Sequence, residues 1–202
     1  MRLLVATTNR DKLREIRSVL SGAAVELLTL ADLPTVEEPE ETGTTFAANA
    51  RLKALHYADA AARHFHDPSL LIVAEDSGLI VDALDGEPGV RSARFLRPDA
   101  SYLERFDEID RRLALTPERP RTARFVCALV AVRDGAIVFE TEGTIEGEIS
   151  ANPRGTGGFG YDPIFLYPPY GRTLAEVNDD EKLRVAHRGH AFRMLRGWLE
   201  GI

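Results

Sequence analysis

The chain has 202 residues, 44% of them hydrophobic and 28% charged, a composition typical of a globular protein that buries its core without disulfides. Its net charge of −7 argues against broad binding to a DNA or RNA backbone, although it leaves binding of a single nucleotide open. The one cysteine, Cys127, lies in the apolar run "RFVCALVAV" and is expected in the core, which fits a reducing cytoplasm. No stretch predicts a secretory signal or a membrane span, so we expect no membrane partner.

The first part of the chain predicts alternating strands and helices. "RLLVATTN" predicts a buried strand that leads into the helix "DKLREIRSVLSG", and "VELLTL" predicts a second strand. The alanine-rich segment "TTFAANARLKALHYADAAARHF" predicts a long helix with one buried stripe, formed by Phe46, Ala50, Ala54, Tyr57 and Ala61. A strand at "SLLIVA" and a further extended piece at "SGLIVDALDG" follow.

The second part predicts a helix, a long β-hairpin and a closing helix. In "YLERFDEIDRRLAL" the helical spacing places four residues inward, Leu103, Phe106, Ile109 and Leu113. The hairpin "TARFVCALVAVRDGAIVFETEGTIEGEI" turns at Asp134 and Gly135, and the last helix spans about residues 180 to 199. Because no repeat or linker divides the chain, we expect one mixed α/β domain over residues 1–202.

The segment "ATTNRDK" lies where the first strand meets a helix N-terminus. Free backbone N–H groups and the positive helix end favour an anion there, and Thr7, Thr8, Asn9 and Lys12 add further donors. The alternative is an ordinary helix cap, since threonine and asparagine are common capping residues. The segment lacks the glycines and the Gly-Lys-Ser/Thr ending of a P-loop.

Two acidic segments are candidates for metal and proton chemistry. Glu40 and Glu41 precede a helix on which Asn49 and Lys53 share a face, a set that suits Mg²⁺ and phosphate unless these are only solvated surface residues. "LLIVAEDSGL" leads a predicted strand into Glu75, Asp76 and Ser77. Paired carboxylates suit a metal-assisted hydrolase, because one can hold a cation and the other can take a proton from water. An Asx-type turn before Gly78 is the alternative.

The segment "GFGYDPIF" combines glycines with two aromatic rings, a carboxylate and a proline. Glycine allows close approach of the backbone to a ligand, and an aromatic face can stack on a planar base. A tight turn with both rings in the core is the alternative. Lys182, His187 and Arg188 follow in "EKLRVAHRGHAF", where they are either donors to a ligand or polar surface.

Five segments together resemble the Ham1-like, or RdgB-type, inosine/xanthosine triphosphate pyrophosphatases along nearly the whole chain. They are "TTNRDKLREI", "EETGTTFAANARLKA", "AEDSGLIVDALDGEPGVRSARF", "GFGYDPIF" and "EKLRVAHRGHAF", in the order and spacing of that family. The resemblance implies an elongated two-lobed α/β fold with a central mixed sheet, a deep active-site cleft and a homodimeric assembly. It also implies Mg²⁺-dependent hydrolysis of ITP, dITP and XTP to the monophosphate and pyrophosphate.

The resemblance also implies a role for each site residue. Asp76 would accept a proton from water, and the metal would bind to Glu40 or Glu41, with Asp76 itself as a third candidate. Ser77 would lie beside the substrate and Phe159 would stack on the base. Gly160, Tyr161 and Asp162 would shape the base pocket. The triphosphate would contact Thr7, Thr8, Asn9, Arg10, Asp11, Lys12 and Lys53. Lys182, His187 and Arg188 would donate to base oxygens, which hypoxanthine and xanthine carry where adenine has an amino group.

Four positions depart from the usual pattern of the family. Thr8 and Asp11 replace common glycines, Glu75 replaces a frequent aspartate, and Ala186 replaces a frequent serine. Asp11 is unfavourable near phosphates unless its carboxylate points away. We expect altered kinetic constants with the activity retained. The competing hypotheses are a catalytically silent nucleotide-binding module, which would not need all these acids, and a Nudix-type hydrolase, whose glutamate-rich helix is missing from this sequence.

Overall fold

The apolar opening stretch forms the first strand of a mixed sheet. In the computed structural model, which describes residues 1–201, seven strands form one sheet in the order β2-β1-β3-β4-β5-β6-β7. Ile202, the last residue of the predicted domain, lies outside the described residues. The strands are β1 Arg2–Val5, β2 Glu26–Thr29, β3 Leu71–Val81, β4 Thr122–Arg133, β5 Ala136–Ile149, β6 Phe165–Tyr167 and β7 Arg172–Thr173. The helices are α1 Arg10–Val19, α2 Phe46–Phe65, α3 Tyr102–Leu113, α4 Asp179–Val185 and α5 His187–Glu200.

Strand pairing confirms the α/β class with a mixed sheet. β1 pairs in parallel with β2 and with β3, with Leu3 opposite Leu27 on one side and Leu71 on the other. The pairs β5–β6 and β6–β7 are antiparallel. The predicted turn at Asp134 and Gly135 joins β4 to β5, and both residues have positive φ, as a two-residue hairpin turn of type I′ requires.

The chain forms two compact units, each built from separate segments. The first comprises Met1–Asp76, Cys127–Gly143 and Arg188–Ile202, and the second comprises Ser77–Val126 and Thr144–His187. Each unit has its own buried apolar cluster. The first includes Leu3, Ile16, Leu71, Leu129 and Phe192, and the second includes Leu79, Phe106, Phe125, Phe165 and Leu174. None of the helices within residues 1–201 has the length and apolar character needed to cross a lipid bilayer.

The predicted segments do form helices, but one residue predicted to face the core is exposed. The predicted stripe of α2 is buried along its length, from Phe46 at 7% exposure to Ala50 and Ala54 at 0%. In α3, Phe106, Ile109 and Leu113 are buried as predicted, but Leu103 is 66% exposed. Leu103 lies in the first turn of α3, and a helical period alone does not show how far the contact surface of a neighbour extends.

Two predicted element boundaries are wrong. The predicted strand before Glu75 and the extended piece after Ser77 are a single strand, β3, so the acidic pair lies inside a strand. The predicted closing helix is interrupted at Ala186, whose extended backbone (φ −72°, ψ 151°) separates α4 from α5. Neither glycine nor proline marks this break, so the sequence carries no local signal for it.

Candidate active site

The turn between β1 and α1 is organised by Asn9, which caps the helix. Its Oδ1 accepts hydrogen bonds from the backbone N–H groups of Asp11 (2.9 Å) and Lys12 (3.1 Å), and Thr7 Oγ1 accepts one from Asn9 N (3.2 Å). Asn9 is therefore a helix cap, as the alternative predicted. Its side chain binds two of the backbone N–H groups that an anion would otherwise use. Asp11 is paired with Arg14 at 2.8 Å, which offsets the charge of its carboxylate locally.

Glu75 lies at the centre of a buried network of charges in the first unit. Its Oε1 lies 2.7 Å from Lys12 Nζ and 3.7 Å from Arg188 Nη2, and its Oε2 accepts a hydrogen bond from the Cys127 thiol at 3.4 Å. Arg188 Nη1 donates in turn to Glu15 Oε2 at 2.6 Å. Burial by itself would raise the pKa of Glu75, but the Lys12, Arg188 and Lys53 cations outweigh it and lower that pKa well below the ordinary value. Glu75 therefore remains an anion that holds Lys12 and Arg188.

Asp76, the next residue of β3, is held by two side chains of α2. Lys53 Nζ lies 3.0 Å from Asp76 Oδ1, and Asn49 Nδ2 donates to Asp76 Oδ2 at 3.1 Å. Lys53 also pairs with Glu41 at 2.8 Å, while Asn49 Oδ1 accepts a hydrogen bond from Gly43 N at 2.8 Å. Because Lys53 and Asn49 are four residues apart on a helix, they reach the acidic loop and β3 together.

The pKa values of the adjacent acids Glu75 and Asp76 are shifted in opposite directions. Burial raises the pKa of Asp76, and although Lys53 opposes this effect, the negative charges of Glu41 and Glu75 add to it. Burial lowers the pKa of the Lys53 ammonium, but Asp76, Glu75 and Glu41 outweigh it and raise that pKa overall. The raised pKa of Asp76 is expected of a proton acceptor, and the lowered pKa of Glu75 is expected of a permanent anion.

The acidic residues are compatible with a magnesium ion that retains most of its water. Carboxylate oxygens are the ligands that Mg²⁺ prefers, and Glu41 and Asp76 are both bonded to the same lysine. Within residues 1–201 no group of three histidine, cysteine or acidic residues forms a metal cage. Of the candidate ligands named from the sequence, Glu40 is exposed to solvent, whereas Glu41 and Asp76 both contact Lys53. Mg²⁺ is commonly bound by one or two carboxylates together with substrate phosphates, and Glu41 and Asp76 fit that mode.

The glycine-rich turn in the second unit is organised by the buried Asp162. Its Oδ2 accepts hydrogen bonds from Phe159 N at 2.7 Å and from Lys182 Nζ at 2.6 Å. The Lys182 ammonium lies 4.6 Å from the centre of the half-buried Phe159 ring. Gly158 has a φ of +64°, and a Cβ there would lie 2.2 Å from Asp162 Oδ2, so the turn requires glycine at that position.

Tyr161 and His187 are both buried in the second unit. The Tyr161 hydroxyl donates to Ser92 O at 2.8 Å, and its ring belongs to the apolar cluster of that unit. The ring-in-core alternative is therefore correct for Tyr161. The His187 ring stacks on Phe125, with ring centres 4.9 Å apart.

The structure brings together some of the predicted site residues within each unit. In the first unit Lys53 contacts Glu41 and Asp76. Lys12 and Arg188 both lie near Glu75. Thr8 and Arg10 are exposed. In the second unit Phe159, Asp162 and Lys182 form one cluster, with Gly160 in the same turn, while Ser77 is half-buried.

Two buried residues of these networks, Glu15 and Cys127, were not predicted as site residues, and Asn49 was noted beside Lys53 but given no role of its own. Glu15 does carry a sequence signal, because it is a glutamate beside Ile16 on the buried face of an amphipathic helix.

The chain is similar to known proteins over its full length. A profile of the Ham1 family matches residues 3–198. The dITP/XTP pyrophosphatase of Halalkalibacterium halodurans is 42% identical, with 98% of each chain covered, and that of Acidobacterium capsulatum is 46% identical at the same coverage. Among solved structures, a HAM1 protein from Coxiella burnetii superposes with a TM-score of 0.86 at 35% identity, with 100% of both chains covered.

Proposed function

The chain belongs to the Ham1 family, and from that premise we propose that it hydrolyses non-canonical purine nucleoside triphosphates. Its substrates are ITP, dITP and XTP, and its products are the nucleoside monophosphate and pyrophosphate. The observation that carries the proposal is the buried Asp76, whose pKa is raised and whose oxygens are held by Lys53 and Asn49. A catalytically silent module would not need a carboxylate maintained in this state.

Asp76 acts as the general base in this proposal. Its carboxylate takes a proton from a water molecule, and the water oxygen forms a bond to phosphorus while the anhydride bond to the pyrophosphate group breaks. Pyrophosphate leaves with the electron pair of that bond. Lys53 and Asn49 fix the two Asp76 oxygens, so the base needs little reorientation before it takes the proton. Ser77, which follows Asp76 in β3, lies beside the substrate.

The triphosphate contacts the β1–α1 turn. Lys12 is the principal cation there, because its side chain is 18% exposed while Glu75 lies 2.7 Å from its ammonium. The amides that Asn9 does not cap, together with Thr7, Thr8 and Arg10, supply further donors. Asp11 is tolerated because its carboxylate pairs with Arg14 at 2.8 Å. Lys53 completes the phosphate contacts.

Mg²⁺ is the proposed cofactor, with Glu41 and Asp76 as its protein ligands and the exposed Glu40 beside them. When bound, the ion neutralises phosphate charge and favours departure of pyrophosphate. The support is the donor set, since two carboxylates that already share one ammonium form a site for positive charge. Excess EDTA should abolish turnover and added Mg²⁺ should restore it. Full activity in EDTA would contradict this assignment.

The base is recognised by stacking and by hydrogen-bond donors. Phe159 stacks on the purine, and Gly160, Tyr161 and Asp162 shape the pocket around it. Lys182 and His187 favour a base with a carbonyl at purine position 6 over adenine. The same role for Arg188, whose guanidinium is held by Glu15 and Glu75, rests on the family resemblance alone. Support comes from the Lys182–Asp162 pair, which holds a cation 4.6 Å from the Phe159 ring centre. A polar site rejects a near-isostere when its buried donors lose their partners.

The test is to incubate the purified protein with Mg²⁺ and a panel of nucleoside triphosphates and to identify the products. We expect ITP, dITP and XTP to yield monophosphate and pyrophosphate far faster than ATP or GTP does. Nucleoside diphosphate with orthophosphate as the primary products would overturn the proposal. We also propose a homodimer in the cytoplasm. Family resemblance supports the dimer, which light scattering would test, and the single buried thiol fits a reducing compartment.

A further inference from the structure

Arg105 of α3 is a buried cation without a salt bridge among residues 1–201. Arg105 is only 3% exposed, and its Nε is buried without a hydrogen-bond partner. Nη2 donates to Pro98 O at 3.4 Å, and the guanidinium lies 4.9 Å from the centre of the Tyr102 ring. Burying a charge without a counter-ion costs free energy, so an apolar side chain would fill this space at lower cost. The arginine therefore calls for an explanation other than packing.

The contacts of Arg105 lead to Tyr161. The Tyr102 ring, on which the guanidinium lies, packs edge-on against the Tyr161 ring, with centres 5.3 Å apart at 89°. Burial raises the pKa of the Tyr161 hydroxyl, while the Arg105 guanidinium opposes that effect through its charge and a hydrogen bond. The same hydroxyl donates to Ser92 O at 2.8 Å. Tyr161 is thus held on one side by α3 and on the other by the backbone at Ser92.

Tyr161 belongs to the glycine-rich turn that carries Phe159. Gly160, between the two aromatic residues, has a φ of +66°, and a Cβ built there would lie 3.6 Å from the Tyr102 hydroxyl. α3 therefore approaches the turn at Gly160 as well as at Tyr161. The first turn of α3 is itself fixed by a capping box, in which Ser101 N donates to Glu104 Oε2 at 2.8 Å.

We propose that Arg105 is a positioning residue which, with Tyr102, clamps Tyr161 and thereby holds the turn in the position from which Phe159 stacks on the base. This inference rests on the proposed function, and it assigns to Arg105 no contact with the substrate. It explains why a cation without a counter-ion is kept in the interior of the second unit: the residue lowers stability but maintains the geometry of base recognition.

The test compares Arg105→Met with Arg111→Met, a control on the same helix whose exposed side chain pairs with Glu108. For Arg105→Met we expect KM for dITP to rise about tenfold and kcat to change by less than about twofold, because part of the base stacking is lost while Asp76 is untouched. We expect its unfolding midpoint to equal or exceed that of the wild type. Arg105→Lys, which keeps the charge without the planar fork, should give an intermediate KM.

Tyr161→Phe provides a second test, because it keeps the ring and removes the hydroxyl that donates to Ser92 O and whose pKa the Arg105 charge lowers. We expect its KM to rise as well, so it decides the question if Arg105→Met does not fold. A KM for dITP that stays at the wild-type value in Arg105→Met or in Tyr161→Phe would overturn the clamp. So would a fall in unfolding midpoint with a parallel fall in kcat. If the wild type itself releases no pyrophosphate from dITP, the proposed function fails first.

Discussion

Lys53 and Asp76 form a buried ion pair, with Nζ 3.0 Å from Oδ1, although 23 residues separate them in the chain. Lys53 also contacts Glu41, so one ammonium connects the acidic loop to β3. This arrangement keeps the Asp76 carboxylate close to a cation without fully offsetting the effect of burial, and the pKa of Asp76 remains raised. A carboxylate whose pKa is raised binds a proton more strongly than an ordinary aspartate, which suits the proposed role of Asp76 as a base.

Asp76→Asn tests the assignment of the base. The amide keeps the shape and the contact with Lys53 but cannot accept a proton from water, so kcat should fall by about 10²–10⁴-fold. Circular dichroism and thermal unfolding should show that the fold is retained. Turnover near the wild-type value in a folded variant would move the role to another acid, with Glu75 and Glu41 as the next candidates.

Glu41→Gln should shift the pH dependence of kcat/KM. The Glu41 charge helps to raise the pKa of Asp76, and the base must be ionised to act, so activity is lost as pH falls through that raised pKa. Removing the Glu41 charge lowers the pKa of Asp76 and moves the acidic limb of the profile toward lower pH. Because Glu41 is also a proposed Mg²⁺ ligand, the profile is measured at saturating Mg²⁺. Glu140→Gln, at an exposed pair with Arg51, serves as the control and should leave the limb in place. A limb that stays fixed or moves to higher pH in Glu41→Gln would contradict the coupling.

Glu75→Gln should destabilise the fold in a pH-dependent way. Because the pKa of Glu75 is lowered in the fold, its stabilising contribution is present above the ordinary glutamate value of 4.5 and is lost as pH falls below it. Removing one partner from a buried ion network costs about 3–5 kcal/mol, which denaturant unfolding at pH 7 would measure. The difference in free energy of unfolding between Glu75→Gln and the wild type should shrink as the pH is lowered below 4.5. A difference independent of pH would mean that packing, not charge, is lost.

Gly158→Ala and Gly171→Ala form a matched pair. Both glycines have positive φ, +64° and +62°, but a Cβ at Gly158 would collide with Asp162, whereas one at Gly171 meets nothing within 4 Å. Gly171→Ala should cost about 1–2 kcal/mol from backbone strain alone and leave KM unchanged. Gly158→Ala should raise KM for dITP as well, because Asp162 must move away from Phe159 N and Lys182. Equal effects of the two substitutions would show that the collision is relieved without consequence.

Phe159→Ala and His187→Ala should have different effects on selectivity. Loss of the stacking ring should cost about 1–3 kcal/mol of binding for every purine triphosphate, since stacking does not distinguish the bases. Loss of a donor to the base should weaken ITP selectively, because adenine offers no carbonyl at that position. The kcat/KM ratio for ITP over ATP should therefore survive in Phe159→Ala and narrow in His187→Ala. The opposite outcome would reverse the assignment of the pocket.

Several local features could be predicted from the sequence because their causes lie within a few residues. The Asn9 cap, the buried stripe of α2 and the Asp134–Gly135 turn follow from side chains three or four residues apart or from residues that adopt positive φ readily. The five segments that resemble the Ham1 family also named Asp76 and Lys53 as candidate site residues, because the order and spacing of the segments are readable along the chain.

Contacts between distant residues were decided only in the tertiary structure. Arg188 binds Glu15 across 173 residues, and nothing near either residue in the sequence indicates the partner. β3 continues through Glu75 and Asp76 because pairing and burial sustain an extended backbone where local signals suggested a turn. Capping, turns and helical faces arise from neighbours along the chain, whereas the partner of a buried charge depends on which segments pack together, and packing is a property of the whole fold.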